Sequence, residues 1–159
     1  MATERRERLY LDSSVIGGYY DSEFAEDSQR VIGYARSERI TVLISEVVIQ
    51  EILKAPAQVQ DVLLSIPSSV LERVELTEEI FILHEAYLLA EIVSRRWKDD
   101  ALHVAAATVA RSDAIVSWNF HHIVRLDKMR AYNQVNLANG YGILTIISPK
   151  EVNYDEQSQ

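Results

Sequence analysis

The 159-residue chain contains no cysteine, so disulfide bonds, zinc–thiolate sites and thiol catalysis are excluded. It also has no apolar run that approaches the roughly 20 residues needed by a membrane-spanning helix. In MATERRERLYLD, charged residues stand directly before a short apolar segment, where a secretory signal peptide would need about 7–15 apolar residues. These absences predict a cytoplasmic protein that does not associate with a membrane.

Positive charge is scarce as well. The chain has 16 Lys and Arg against 24 Asp and Glu, which gives a net charge of −8 and a pI of about 5.0. Proteins that grip nucleic acid through a broad basic face depend on neutralising phosphates, and this composition argues against such a face. It is compatible with an enzyme whose acidic cluster is bridged to phosphate by metal cations.

Glycine and proline are few, with five and three residues, and no repeat, low-complexity tract or Gly/Ser linker divides the chain. A chain of this length can bury a sizeable core without disulfides or structural metal. We therefore expect a single domain over residues 1–152, followed by a polar tail over residues 153–159.

Short apolar segments alternate with segments of helical periodicity. Strands are predicted at residues 9–11, 40–44, 70–76, 114–117 and 143–147. Helices are predicted at residues 28–37, 46–54, 57–65, 77–95, 99–111 and 127–139. This alternation favours a mostly parallel sheet that is covered by helices on both faces.

In sheets of this kind, ligands bind beyond the carboxyl ends of the strands. Asp12, Ser45 and Asn119 each come just after a predicted strand. The carboxylate of Asp12 is a ligand that Mg²⁺ and Mn²⁺ prefer, although this residue could instead cap the helix that follows. Asn119 is a neutral polar candidate. The neighbouring His121 and His122 point in different directions, so we do not expect a joint site from them.

Two acidic positions on helices are further candidates. Glu51 lies beside the apolar face of helix 46–54, where a charge must be paired with a basic residue, hydrated or bound to metal. Asp99 and Asp100 begin the alanine-rich helix 99–111, and because a cap needs only one side chain, the other is free to point elsewhere. The chain contains no GxxxxGK[ST] phosphate loop, no GxSxG elbow and no DxD pattern after the first strand.

Five segments resemble, in order, the successive blocks of PIN domains: RLYLDSSVI, ISEVVIQEIL, DALHVAAA, VSWNFHHIV and NGYGILTIISPKEV. They extend over residues 9–152, and their order and spacing are far more specific than any single block. The resemblance implies a PIN-like three-layer α/β/α fold with a central, mostly parallel five-stranded sheet. It also implies a VapC-like ribonuclease toxin, a metal-dependent nuclease that hydrolyses phosphodiester bonds in RNA.

The resemblance extends to the site. It implies that the catalytic carboxylates, which bind Mg²⁺ or Mn²⁺ together with Asn119, are Asp12, Glu51 and Asp100. It leaves Ser13 and Ser117 to contact substrate or to support the ligands. Many active members have aspartate where Asn119 stands, and weaker metal binding is predicted here because affinity grows with ligand charge. The implied partners are an RNA substrate, a small antitoxin protein and a second copy of the chain in a homodimer.

Two other interpretations stay open. The PIN fold could serve as a catalytically weak or inactive protein-binding module, which Asn119 and the acidic charge favour and the three carboxylates oppose. A receiver-like phosphorylation switch with Asp12 as acceptor would need an acidic pair at the same strand end and a lysine after the last strand. Lys150 is present, but Glu7 and Arg8 precede the first strand.

Overall fold

Five short strands form one sheet in the computed structural model, which describes residues 5–155. The strands are β1 Glu7–Leu11, β2 Ile40–Ser45, β3 Leu71–Val74, β4 Ala114–Val116 and β5 Ile146–Ile147. Their order is β3-β2-β1-β4-β5, and each neighbouring pair is parallel. The predicted five-stranded parallel sheet is therefore confirmed.

Helices cover both faces of this sheet. The α-helices of residues 5–155 are α1 Ser13–Gly17, α2 Ala25–Arg36, α3 Glu46–Leu53, α4 Ala57–Leu64, α5 Glu78–Leu89, α6 Lys98–Val109 and α7 Leu126–Ala138. Helix α5 packs against α6 and α7, whereas α1 packs against α2, α3 and α4. The three-layer α/β/α architecture predicted from the sequence is confirmed.

The central strands are apolar because helices cover both of their faces. Leu9, Tyr10 and Leu11 of β1 are buried, as is the whole of β4. In the register of these two strands, Leu11 is paired with Val116. The residues that follow the two strands are thereby brought side by side at one edge of the sheet.

Polar side chains begin three of the helices. Asp12, Ser45 and Thr77 precede α1, α3 and α5, and each accepts a hydrogen bond from a backbone N–H two or three residues further on. These are helix-capping bonds, which satisfy N–H groups that have no partner inside the helix. Asp12 and Ser45 therefore act as caps at the same time as they stand at the carboxyl ends of strands.

Helix α5 ends earlier than predicted, at Leu89 instead of residue 95. Glu91 adopts a left-handed conformation with φ of 57°, and its N–H donates to the carbonyl of Leu88. The N–H of Ile92 reaches back to the carbonyl of Tyr87. These bonds close the helix in the manner of a C-terminal cap, so the prediction of a helix through residue 95 is wrong.

Helix α6 also begins differently from the prediction. Its N-cap is Trp97, which makes no side-chain capping bond, and both Asp99 and Asp100 lie inside the first turn. Neither aspartate is therefore the cap. Their charges still meet the positive end of the helix favourably.

The alanines of α6 let this helix lie close to the sheet. Ala101, Ala105, Ala106 and Ala107 are completely buried, and α6 contacts both β2 and β4. Because α6 precedes the parallel strand β4, the helix N-terminus lies at the carboxyl edge of the sheet. That arrangement brings Asp100 to the edge where Asp12 lies.

Strand β5 is limited to Ile146–Ile147, although the sequence predicts a strand over residues 143–147. The N–H of Leu144 donates to the side chain of Asn133 on α7 instead of to a neighbouring strand. This tertiary hydrogen bond explains why the strand is short.

The end of the described chain packs against the domain. The ring of Tyr154 contacts that of Tyr34, and its hydroxyl donates to Glu7. Residues 1–4 of the predicted domain and 156–159 of the predicted tail lie outside the described residues. Within residues 5–155, no helix is both long and apolar enough to cross a membrane.

Candidate active site

Three neighbouring strands end in polar residues at the carboxyl edge of the sheet. Ser45 is the last residue of β2, Asp12 directly follows β1, and Ser117 directly follows β4. Asp12 and Ser117 are 105 residues apart in sequence but are joined by a hydrogen bond. Parallel pairing of the strands is what brings these side chains together.

Asp12 is buried, and its carboxylate accepts three hydrogen bonds. Oδ1 accepts the hydroxyl and the backbone N–H of Ser14, at 2.5 and 3.1 Å. Oδ2 accepts the hydroxyl of Ser117 at 2.5 Å. Burial raises the pKa of Asp12, an effect that the charge of His103 and the two hydroxyls oppose without outweighing it. The two bonds from Ser14 occupy both lone pairs of Oδ1. Oδ2 accepts one bond, from Ser117, and has a second lone pair for a further ligand.

Glu51 is paired with a buried histidine. Its Oε1 lies 2.7 Å from Nε2 of His103, whose Nδ1 lies 2.8 Å from the hydroxyl of Tyr10. That hydroxyl lies 2.6 Å from the hydroxyl of Ser45. Burial acts to raise the pKa of Glu51, but the hydrogen bond and charge of His103, with a contribution from the Ser13 hydroxyl, lower it. The partner of Glu51 is thus a histidine from α6.

Asp100 is held by a second histidine. Its Oδ2 lies 3.0 Å from Nδ1 of His122, in the segment that follows β4. The ring of His122 stacks on that of Trp97, with the ring centroids 4.8 Å apart. Asp99, the preceding residue, is exposed. Asp100 is therefore the aspartate of this pair that faces the segment after β4.

The side chain of Asn119 closes the turn after β4. Its Oδ1 accepts the backbone N–H groups of His121 and His122, at 3.2 and 2.9 Å. Its own backbone N–H donates to Oγ of Ser117 at 2.9 Å. A carbonyl oxygen has two lone pairs, and both are engaged here. Asn119 thereby holds in place the segment that carries His122.

The three predicted carboxylates all affect the pKa of one buried histidine, His103. Burial lowers the pKa of His103, but its hydrogen bond with Glu51 and the charges of Asp12, Glu51 and Asp100 raise it above its ordinary value. Glu51 is hydrogen-bonded to His103, and Asp100 precedes His103 by three residues on α6. Asp12 directly follows the strand of Tyr10, whose hydroxyl contacts Nδ1 of His103. The aspartate and glutamate positions predicted from the sequence therefore share one neighbourhood.

Within residues 5–155, however, no three His, Asp or Glu side chains are grouped closely enough to hold one metal ion. Each histidine takes one oxygen of its carboxylate, namely Oε1 of Glu51 and Oδ2 of Asp100. The remaining oxygens are hard donors of the kind that Mg²⁺ and Mn²⁺ bind. The donor chemistry fits such a cation, but the side chains would have to turn toward one another to share it.

The sequence interpretation missed the roles of His103 and Tyr10, and of His122 it said only that no joint site with His121 is expected. His103 follows Asp100 by three residues, so the two lie on neighbouring positions of one helix face. A polar ring in the apolar stretch DALHVAAA was the available indication, since buried polar groups need partners. Tyr10 in the strand RLYL was a similar indication.

Comparisons with known proteins bear on the fold. No protein-family model and no curated protein sequence matches this chain. Among solved structures, VapBC2 from Rickettsia felis, bound to a DNA fragment from its promoter, is similar with a TM-score of 0.58 and 14% identity. That match covers 89% of this chain and 98% of the other.

Two further structures are similar. A toxin–antitoxin complex from Klebsiella pneumoniae matches with a TM-score of 0.55 and 14% identity, over 72% of this chain and 88% of the other. VapC20 from Mycobacterium tuberculosis, a toxin that cleaves the sarcin–ricin loop, matches with a TM-score of 0.55 and 12% identity, over 86% and 98%. The chain therefore has the VapC-like PIN-domain fold that its sequence predicted.

Proposed function

We propose that this protein is a metal-dependent ribonuclease that hydrolyses phosphodiester bonds in RNA and is the toxin of a toxin–antitoxin pair. The observation that carries the proposal is the position of Asp12 at the carboxyl edge of a VapC-like sheet. Glu51 and Asp100 are held there by His103 of α6 and by His122 of the segment after β4. That edge is where open α/β sheets bind their ligands.

In this proposal, Mg²⁺ or Mn²⁺ is held by Asp12, Glu51 and Asp100, with Asn119 beside them. A bound cation supplies a water of lowered pKa and neutralises the charge that develops on phosphate oxygens. The chain's own polar groups orient these carboxylates, because Ser117 holds one oxygen of Asp12. Carboxylates that are held in a fixed orientation can position a nucleophile against phosphate, which accelerates its attack.

Two side chains near Glu51 are suited to contact RNA. The hydroxyl of Ser13 and the ammonium group of Lys54 both lie close enough to Glu51 to lower its pKa. A hydroxyl can orient a water or a phosphate oxygen, and an ammonium group can neutralise a phosphate. Ser13 and Lys54 therefore form the substrate side of the proposed site.

The proposed partners follow from the similar structures. The Klebsiella pneumoniae structure is a toxin–antitoxin complex, and by analogy we expect a small antitoxin protein to bind this chain. A homodimer and a cytoplasmic location belong to the same proposal. Sedimentation of the purified chain, alone and with the product of a neighbouring small gene, tests both associations.

The direct test is cleavage of single-stranded RNA by the purified protein with Mg²⁺ or Mn²⁺. We expect cleavage by the wild-type protein, and its loss in Asp100→Asn, which removes a charge from the site. Asp99→Asn is the matched control, since this neighbouring aspartate is exposed, and it should cut at the wild-type rate. Cleavage that survives Asp100→Asn would contradict the assignment of this carboxylate.

A second candidate function is a protein-binding module with the same fold. It is favoured by the absence, within residues 5–155, of three side chains grouped for one metal and by the engaged oxygen of Asn119. This alternative predicts binding of a protein partner without RNA cleavage at any divalent cation concentration. The cleavage assay therefore separates the two functions.

A further inference from the structure

A chain of hydrogen bonds runs from the core to Glu51. It starts at Ser45, passes through the hydroxyl of Tyr10 to Nδ1 of His103, and leaves Nε2 of His103 for Glu51, with distances of 2.6, 2.8 and 2.7 Å. Ser45, Tyr10 and His103 are buried, and Glu51 is the half-exposed end. Three different elements, β2, β1 and α6, therefore support one carboxylate on α3.

The direction of these bonds follows from counting donors and acceptors. Oγ of Ser45 accepts the backbone N–H of Val48 at 3.5 Å. Within residues 5–155, the Tyr10 oxygen is the one acceptor in reach of the Ser45 hydroxyl hydrogen, which is therefore directed to it. In the neutral ring of His103, the Tyr10 hydroxyl donates to Nδ1 and the ring hydrogen is on Nε2, facing Glu51. In the charged ring Nε2 also carries a hydrogen, so Nε2 donates to Glu51 in both states.

The reverse direction leaves a polar hydrogen without a partner. If Tyr10 donated to Ser45, the hydroxyl hydrogen of Ser45 would have no acceptor within residues 5–155. A buried hydroxyl hydrogen without an acceptor is unfavourable, because it has lost its bond to water. Burial also raises the pKa of Tyr10, which keeps its hydroxyl protonated and able to donate.

We propose that Tyr10 and Ser45 hold His103 in the state that donates its Nε2 hydrogen to Glu51, and that His103 is a positioning residue for this carboxylate. Its catalytic consequence rests on the proposed ribonuclease function. The hydrogen bond occupies Oε1 and restricts the rotamers of Glu51, and Oε2 remains for a ligand. Partners that support metal ligands in this way typically affect metal affinity or activity by about 10–100-fold.

The first test is Tyr10→Phe, which removes the donor to Nδ1 but keeps the ring. Tyr87→Phe is the matched control, because Tyr87 is also fully buried and its hydroxyl also contacts two side chains, Thr108 and Asn136. Nitrogen-15 spectra of the histidine rings report which nitrogen carries the hydrogen, and side-chain relaxation of Glu51 reports its order. Neither measurement requires metal or RNA.

We expect the hydrogen of His103 on Nε2 in the wild-type protein and in Tyr87→Phe. In Tyr10→Phe we expect a mixture of ring states and a more mobile Glu51 side chain. A wild-type ring whose Nε2 carries no hydrogen would overturn the inference. So would an unchanged ring state and Glu51 order in Tyr10→Phe, because His103 would then be only a core residue.

Activity provides the second test. With saturating Mn²⁺, kcat for RNA cleavage should fall about 10–100-fold in Tyr10→Phe and His103→Ala with little change in KM, and Tyr87→Phe should match the wild type. His103→Gln should recover part of the loss, since its amide can donate to Glu51. Equal losses in Tyr10→Phe and Tyr87→Phe would overturn the positioning role. A wild-type protein that cuts no RNA would refute the proposed function, and the spectra would still decide this inference.

Discussion

The hydroxyl of Ser117 donates a hydrogen bond to Oδ2 of Asp12 at 2.5 Å and so joins the ends of two neighbouring strands. Both side chains are buried, and the same Oγ accepts the backbone N–H of Asn119. The Ser117 side chain thus links Asp12, the first predicted metal ligand, to the turn that contains Asn119, the fourth.

Replacing this hydroxyl should destabilise the fold. Ser117→Ala removes a hydrogen bond to a buried carboxyl group, and bonds to charged groups contribute about 1.5–3 kcal/mol. We expect the free energy of unfolding to fall by about that amount, as measured by chemical denaturation without divalent metal. The control is Ser112→Ala, since the buried Oγ of Ser112 has no hydrogen-bond partner within residues 5–155. Equal stability of the two variants would contradict this account.

Divalent metal should stabilise the protein. A ligand that binds only the folded state contributes about 2.7 kcal/mol at 100 times its Kd, which corresponds to a rise in Tm of roughly 5–10 °C for a domain of this size. Asp12→Asn should remove most of this rise. Asp155→Asn should keep the full rise in Tm. Asp155 pairs with Arg39, which directly precedes β2 and so lies at the amino edge of the sheet, away from the proposed site. A wild-type Tm that does not respond to millimolar Mn²⁺ would count against the metal site.

Asn119→Asp should tighten Mn²⁺ binding by about fivefold or more. The new carboxylate can keep both backbone N–H bonds on one oxygen and offer the other to a cation, and a unit charge about 4 Å away contributes at least about 1 kcal/mol. Calorimetry at one ionic strength and pH measures the affinities. Asn139→Asp, at the end of α7, controls for net charge. Equal affinities of Asn119→Asp and the wild type would place residue 119 outside the reach of the metal.

Gly18 should not tolerate a side chain. A Cβ there would lie 2.7 Å from Oγ of Ser28 and 3.1 Å from Nε1 of Trp118, which are themselves hydrogen-bonded at 2.8 Å. Gly18→Ala should therefore cost about 1–3 kcal/mol of stability. Gly17→Ala is the control, because no atom lies within 4 Å of its added Cβ, and it should lose no stability. Denaturation midpoints compare the two variants, and a stable Gly18→Ala would show that Trp118 can move.

Much of the fold could be predicted from local patterns. The buried segments of β1, β2 and β4 are short apolar runs, and such runs with helical segments between them favour a parallel sheet. Capping of a helix by Asp12 was one of two interpretations of this residue, because its side chain can accept backbone N–H bonds. One prediction that failed depends on a distant contact. Strand β5 is short because Leu144 bonds to Asn133 on α7.

The sequence by itself determined which residue types stand at the strand ends, because apolar runs and helix caps depend on neighbours a few residues away. Only the tertiary structure decided which side chains are paired there. Glu51 meets His103 and Asp100 meets His122, across 52 and 22 residues. The physical reason is that a hydrogen bond requires its two atoms to lie within about 3 Å. Strand register and the packing of α6 against the sheet set those distances, and neither can be read from local periodicity.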